Sequence, residues 1–162
     1  MTNRYLLLFF FTIALISNAT GQGSGKLIIN ADLTSIASYD PDIEVSVINM
    51  ATNREVLRNS VLENFNYTFP LNGRFMLYFK KSGATSTRLL LDTRTFMSGY
   101  YTLSFHLSLG NTAAGETAST MPIGTIKFDR ATTSFGYKAS NLLANQPLEV
   151  VSSIRESDVI RF

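Results

Sequence analysis

The sequence contains no cysteine and no tryptophan, and only one histidine, His106. Without cysteine there is no disulfide framework, no thiolate metal site and no lipid-bearing cysteine behind an export signal, so stability has to come from an apolar core. One charge sign does not dominate either. Fourteen Lys and Arg face twelve Asp and Glu, for a formal net charge of +2. A balance so close to neutral gives no electrostatic footprint for nucleic acid, which is not expected as a partner. Beyond the first residues there is no apolar run long enough to cross a bilayer.

What is present begins with a short head carrying Arg4, an apolar run from Tyr5 to Ile16 and then Ser17-Asn18-Ala19. Basic head, short apolar stretch and small residues before a cut are the parts of a secretory signal, expected to span 1–19, with cleavage after Gln22 as the alternative. An uncleaved anchor is disfavoured because a span needs about 20 apolar residues. Loss of Arg4 takes the net charge from +2 to +1. The remainder has the size of about one domain, enough to bury a core without staples.

Residues 20–25 (TGQGSG) read as a flexible leader. Beyond it the hydrophobic period is two almost everywhere. Leu27, Ile29, Ala31 and Leu33 alternate with polar or outward residues, as do Val45 and Val47. Phe65, Tyr67, Phe69 and Leu71 share one face before Asn72-Gly73, a hairpin signal, after which Phe75, Leu77 and Phe79 resume the pattern. Leu103, Phe105 and Leu107 oppose Ser104, His106 and Ser108 in the cleanest strand of the chain. Eight or nine short strands (about that many) with turn chemistry between them predict an all-β antiparallel sandwich, with a closed barrel as the runner-up. The expected organisation is a sandwich over 26–110, a loop over 111–120, a β-hairpin extension over 121–140 and a tail over 141–162. In the tail, Pro147 and the spacing of Leu148, Val151 and Ile154 predict a short helix.

The search for chemistry is mostly negative. Gly23-Ser24-Gly25-Lys26 superficially suggests a phosphate loop, but Leu27 follows the lysine and a strand begins where a helix is needed. Gly21 to Gly25 puts glycine where the serine of a nucleophile elbow belongs. Asp40, Asp42 and Glu44 form a D-x-D-x-E run, but lack the turn glycine and distant glutamate of a calcium loop and read as a solvated strand entrance. Asp32, Glu63 and Asp92 are acids at strand positions, with nothing to single out two of them as a glycosidase pair. Lys80-Lys81 beside Phe75, Tyr78 and Phe79 suggests base stacking, yet aromatics at period two are the expected core of a sandwich. Alternation sends His106 outward, where it lacks the several fixed partners of a metal or triad site. No catalytic, cofactor-binding or metal-ligating residue is assigned, and no cofactor is expected.

Phe65-x-Tyr67-x-Phe69-x-Leu71, Phe75-x-Leu77-x-Phe79, Lys81-x-Gly83 and Arg88-Leu-Leu-Leu-Asp92-Thr93 together resemble the transthyretin-like sandwich of carboxypeptidase regulatory-like domains, as found in secreted and periplasmic proteins of Bacteroidota. Pro122-x-x-x-Ile126-x-Phe128-Asp129 and Phe135-x-Tyr137 resemble the segment that follows it there. Ala84, Asn30 and Lys138 depart from the pattern, at positions where tyrosine, glycine and an acid are usual. The resemblance implies a non-catalytic structural or binding module of the bacterial envelope, in the periplasm, at the cell surface or outside the cell, with an envelope protein or glycan as partner. This is analogy at the level of fold. The rival expectation is a small envelope hydrolase or carbohydrate-active enzyme using carboxylates not identified in the sequence.

Overall fold

The computed structural model describes residues 25–35, 42–81, 86–110, 121–140 and 148–155. The expected signal peptide, leader residues 20–24, Asp40, Gly83 of the Lys81-x-Gly83 motif and the 111–120 loop lie outside the described residues.

The described residues form ten strands and no helix: β1 (Lys26–Ser35), β2 (Ile43–Asn49), β3 (Arg54–Val61), β4 (Asn64–Pro70), β5 (Arg74–Lys81), β6 (Thr87–Asp92), β7 (Tyr100–Leu109), β8 (Gly124–Asp129), β9 (Ser134–Ala139) and β10 (Leu148–Arg155). They make a β-sandwich of two sheets, one ordered β10-β7-β1-β4 and the other β3-β2-β5-β6-β8-β9. Neither sheet closes on itself, which excludes the barrel for the described residues. No helix among them is long and apolar enough to cross a membrane.

The sheets are mixed, each holding one parallel pairing, β1 with β7 and β6 with β8. The second follows from the path of the chain. After β6 it crosses to the opposite sheet, returns as β7 and crosses again, so β8 runs in the direction of β6. The hairpin β8–β9 thereby extends the larger sheet, and Ile126 and Phe135 join the core of the first strands.

The period of two becomes burial directly. Leu27, Ile29, Ala31 and Leu33 face Val45, Val47, Leu77, Phe79, Leu89 and Leu91 across the interior, with Leu103, Phe105 and Leu107 beside them. Every residue expected inward is buried except Tyr67 and Leu71, which are half-buried against the cluster. Burying one such side chain contributes roughly 1.5–3 kcal/mol. Aromatic pairs add direction: Phe65 meets Phe79 edge-on at 6.2 Å between the sheets, and Tyr101 meets Phe135 edge-on at 5.2 Å.

The helix expected within 141–162 is corrected over its described part. Leu148–Arg155 is β10, antiparallel to β7, with a register shift between Val150 and Ser152. The extra residue of a β-bulge breaks the two-residue alternation, and here it produces a three-residue spacing that imitates a helix. Burial exposes the imitation: Leu148 packs against the core, while Val151 and Ile154 are exposed.

The two ends of the sandwich are built differently. At one, the Lys26 amide donates to the Gly99 carbonyl (3.0 Å) and the Leu71 amide to the Gly25 carbonyl (3.3 Å). Gly25 thus belongs to the sandwich and not to a flexible leader. A Cβ on it would stand 2.6 Å from the Gly99 carbonyl oxygen, and Gly99 itself has φ of 143°, so both positions require glycine. Thr93, fully buried, completes this end: its hydroxyl accepts from the Gly73 amide (2.9 Å) and donates to the Pro70 carbonyl (2.9 Å).

Candidate functional site

The opposite end, where β1, β3 and β5 finish and β2 and β4 begin, is open. A cavity of about 970 Å³ lies there. Leu33, Ile43, Val61 and Leu62 give its apolar wall, and Asp32, Thr34, Glu63, Asn64 and Lys81 its polar groups. Asp32 and Asn64 are cross-strand partners and also border a smaller groove of about 260 Å³ on the outer face of the four-stranded sheet.

Strand register explains that groove. Asp32 on β1 stands opposite Asn64 on β4 and His106 on β7, and His106 stands opposite Glu149 on β10. One step along, Asn30 stands opposite Asn66 and Ser104. The Asn66 side-chain amide donates to the Asn30 side-chain oxygen, and His106 Nδ1 lies 2.8 Å from Asp32 Oδ2. Asn and Asp are depleted in strands because they favour turns and caps. Their concentration at neighbouring outward positions of a central strand and its partner is a local choice against strand propensity, the kind that functional surfaces carry.

The sequence candidates fall into place unevenly. His106 faces outward, as alternation requires, and pairs with Asp32. Asp92 is held by the Arg94 guanidinium (Nε to Oδ1, 2.8 Å), whose hydrogen bonds keep its carboxyl below the ordinary carboxylate range against an opposing desolvation. Glu44 lies 3.6 Å from Arg58, which also pairs with Glu55, and Asp42 is exposed. Asp32 and Glu63 border the same cavity, but the Glu63 carbonyl accepts from the Leu33 amide, placing Glu63 one residue out of phase with the outward Asp32–Asn64 pair. Among the described residues no group of three or more His, Asp or Glu is placed to hold a metal ion. Lys26 is exposed at the start of β1, and no helix follows it.

Lys80 and Lys81 separate. Lys80 is exposed on the outer face, whereas Lys81 continues the inward row of Phe75, Leu77 and Phe79 and is 9% exposed. Sequence reasoning missed Lys81, Asn30 and Asn66. The inward phase of Lys81 was countable from Phe79, and the Asn-x-Asp and Asn-x-Asn spacings within β1 and β4 were visible signals. Comparison with family models, with curated proteins and with solved structures finds nothing that matches this chain.

Proposed function

We propose that this chain is an exported, non-catalytic binding module of the bacterial envelope, and that it presents the outer face of its four-stranded sheet to an envelope protein or glycan. The carrying observation is the cluster of Asn30, Asp32, Asn64, Asn66, Ser104 and His106 around one groove. Amide, carboxylate, imidazole and hydroxyl groups at that density suit a polar ligand recognised through directed hydrogen bonds. Export rests on the N-terminal pattern, and the likeness to carboxypeptidase regulatory-like domains rests on the strand motifs. Intact-mass measurement of the exported protein is expected to show loss of about 19 residues.

The test of binding is retention of the purified protein on isolated envelope glycan and in crosslinked envelope fractions, compared with an Asn30→Ala/Asn66→Ala variant. Retention by the native chain and its loss in the folded variant support the reading; equal retention by both, or none by either, overturns it.

One observation favours the enzymatic alternative, the presence of Asp32 and Glu63 around one cavity. Hydrolysis of envelope glycans that disappears in both Asp32→Asn and Glu63→Gln would replace the binding-module reading with it.

A further inference from the structure

The closed end of the sandwich is also its basic end. Asp92, the last residue of β6, has Arg74 and Lys127 as its cross-strand partners and the Arg94 guanidinium on its carboxylate. Further along the 93–99 segment, Arg130 lies over the Phe96 ring at 5.2 Å, Arg155 donates to the Ser98 carbonyl, and Lys26 donates its amide to the Gly99 carbonyl. Six cations therefore border this segment, against Asp92 and Asp129. Arg74 and Arg94 share Asp92, whereas Lys26, Lys127 and Arg130 are exposed and pair with no acid among the described residues. At the opposite end Asp32, Asp42, Glu44, Glu63 and Glu149 outnumber the cations. A charge that is nearly balanced in sum is thus polarised in space.

Two large apolar side chains are left in water among these cations. Phe96 is 64% exposed although it packs on Phe128, and Met50, in the turn between β2 and β3, is 41% exposed beside Arg74, whose carbonyl accepts from the Met50 amide (3.0 Å). The ends of β2 and β8 beneath them are three strand spacings apart, about 14 Å across the end of the larger sheet. The turns below are closed by backbone amides and the Thr93 hydroxyl, so this surface is carried on a fixed frame.

We infer that this end docks on an anionic phospholipid surface, with its cations at the level of the lipid phosphates and Phe96 and Met50 entering the interface between them. Each Lys or Arg near such a surface multiplies partitioning about fivefold, the equivalent of about 1 kcal/mol. Charge alone would serve any polyanion, and the apolar side chains make the distinction. Arg130 covers one face of the Phe96 ring and Phe128 packs at right angles to it, so the ring offers little platform for stacking on a base. Its remaining apolar area is of use at a lipid interface, where burial of such area adds to the attraction of basic residues for anionic lipid. This surface shares no residue with the outer groove, so the inference stands independently of the binding reading given above.

The experiment measures co-sedimentation of the exported protein with vesicles of phosphatidylcholine alone and with vesicles that are roughly one-third phosphatidylglycerol. Binding to the anionic vesicles is expected to be at least tenfold tighter and to weaken as salt is raised. Lys127→Gln/Arg130→Gln is expected to weaken it at least tenfold. Lys80→Gln/Lys138→Gln removes the same charge from exposed positions at the opposite end and is expected to leave it within about twofold. The chain contains no tryptophan, so Phe96→Trp supplies a single reporter, whose emission is expected to shift to shorter wavelength on anionic vesicles and to stay unchanged with soluble polyphosphate. The inference is overturned by equal affinity for the two vesicle types, by no binding to either, by equal effects of the two double variants, or by a Phe96→Trp emission that does not move on anionic vesicles. Tighter binding to polyphosphate or DNA than to vesicles would also overturn it and assign the basic end to a soluble polyanion.

Discussion

The two ends of this sandwich solve the same problem in opposite ways. Where β4 hands over to β5 and β6 to β7, every turn is tied to another: Asn72 donates to the Thr93 carbonyl (3.0 Å), Thr93 returns a bond to the Gly73 carbonyl (2.9 Å), and the Thr93 hydroxyl fills the gap between Pro70 and Gly73. The polar groups of these turns are satisfied inside the protein, as buried turns require, while Tyr101 Oη and Arg155 Nε beside Gly99 are buried without a partner. At the far end the inward row of β5 finishes in Lys81, and the space beyond it is a cavity with apolar and charged walls. One end spends its polar groups on the fold. The other leaves them available, and binding surfaces are drawn from such regions.

The contrast needs a reference effect from the core that both ends share. Phe105 lies midway along β7, 1% exposed, with neighbours from both sheets in the same cluster. Phe105→Ala removes most of that side chain and is expected to cost roughly 3–5 kcal/mol, measured by denaturant unfolding. A loss below about 1 kcal/mol would mean that the interior is loosely packed, and the comparison of ends would lose its frame.

The closed end should break next most easily. Thr93→Val keeps the volume but removes the hydroxyl, leaving the Gly73 amide without its acceptor and the Pro70 carbonyl without its donor. Such buried orphans cost about 1–3 kcal/mol each. The expected result is a lower unfolding midpoint with an unchanged denaturant slope. By contrast, Lys81→Met at the open end should lose nothing. If the two variants behaved alike, the division into a closed and an open end would fail.

These two residues also mark what can be read from a sequence. Strand phase is local, so Leu103-x-Phe105-x-Leu107 declares its inward face without any knowledge of neighbours, and the structure buries all three. Sheet order is not local. That β1 lies between β7 and β4 depends on pairings between residues far apart in the chain, such as Ala31 with both Phe105 and Phe65. The bulge in β10 shows the intermediate case, in which a single extra residue at Val151 converts a strand pattern into an apparent helical one. Most of the candidate site was illegible for the same reason. Asn30 and Asn66 read as ordinary polar alternates until β1 and β4 are placed side by side, and Lys81 looked like half of a basic pair with Lys80.

A smaller effect is expected from acid at the closed end. The Arg94 side chain, through its hydrogen bonds, holds Asp92 below the ordinary carboxylate range, with a further contribution from Arg74. A depressed carboxyl contributes stability that is present above its unfolded value, near about 3.9, and is lost as pH falls through the lower folded value. Arg94→Ala should therefore lower stability slightly at neutral pH, only slightly because Arg94 is exposed, and leave it unchanged in strong acid, so that the acid-side loss of stability becomes smaller. Identical acid unfolding curves for the native chain and the variant would show that the pair contributes nothing.

The smallest expected effect belongs to the residue that a search for catalysis would have chosen first. His106 is the sole histidine, and its Nδ1 lies 2.8 Å from an Asp32 carboxylate oxygen, the geometry of an oriented base. Yet its side chain is 49% exposed and that of Asp32 44%, so both retain much of their water. Exposed pairs of this kind contribute little, because solvent screens the attraction and ordering two side chains opposes it. Glutamine preserves a donor able to reach the same carboxylate. His106→Gln is accordingly expected to shift unfolding free energy by no more than about 0.5 kcal/mol, the range of surface substitutions. It borders the outer groove and not the wall of the end cavity. A loss of several kcal/mol would place His106 in the structural framework. That result would erase the distinction between a solvated pair on the outer face and the buried polar ties of the closed end.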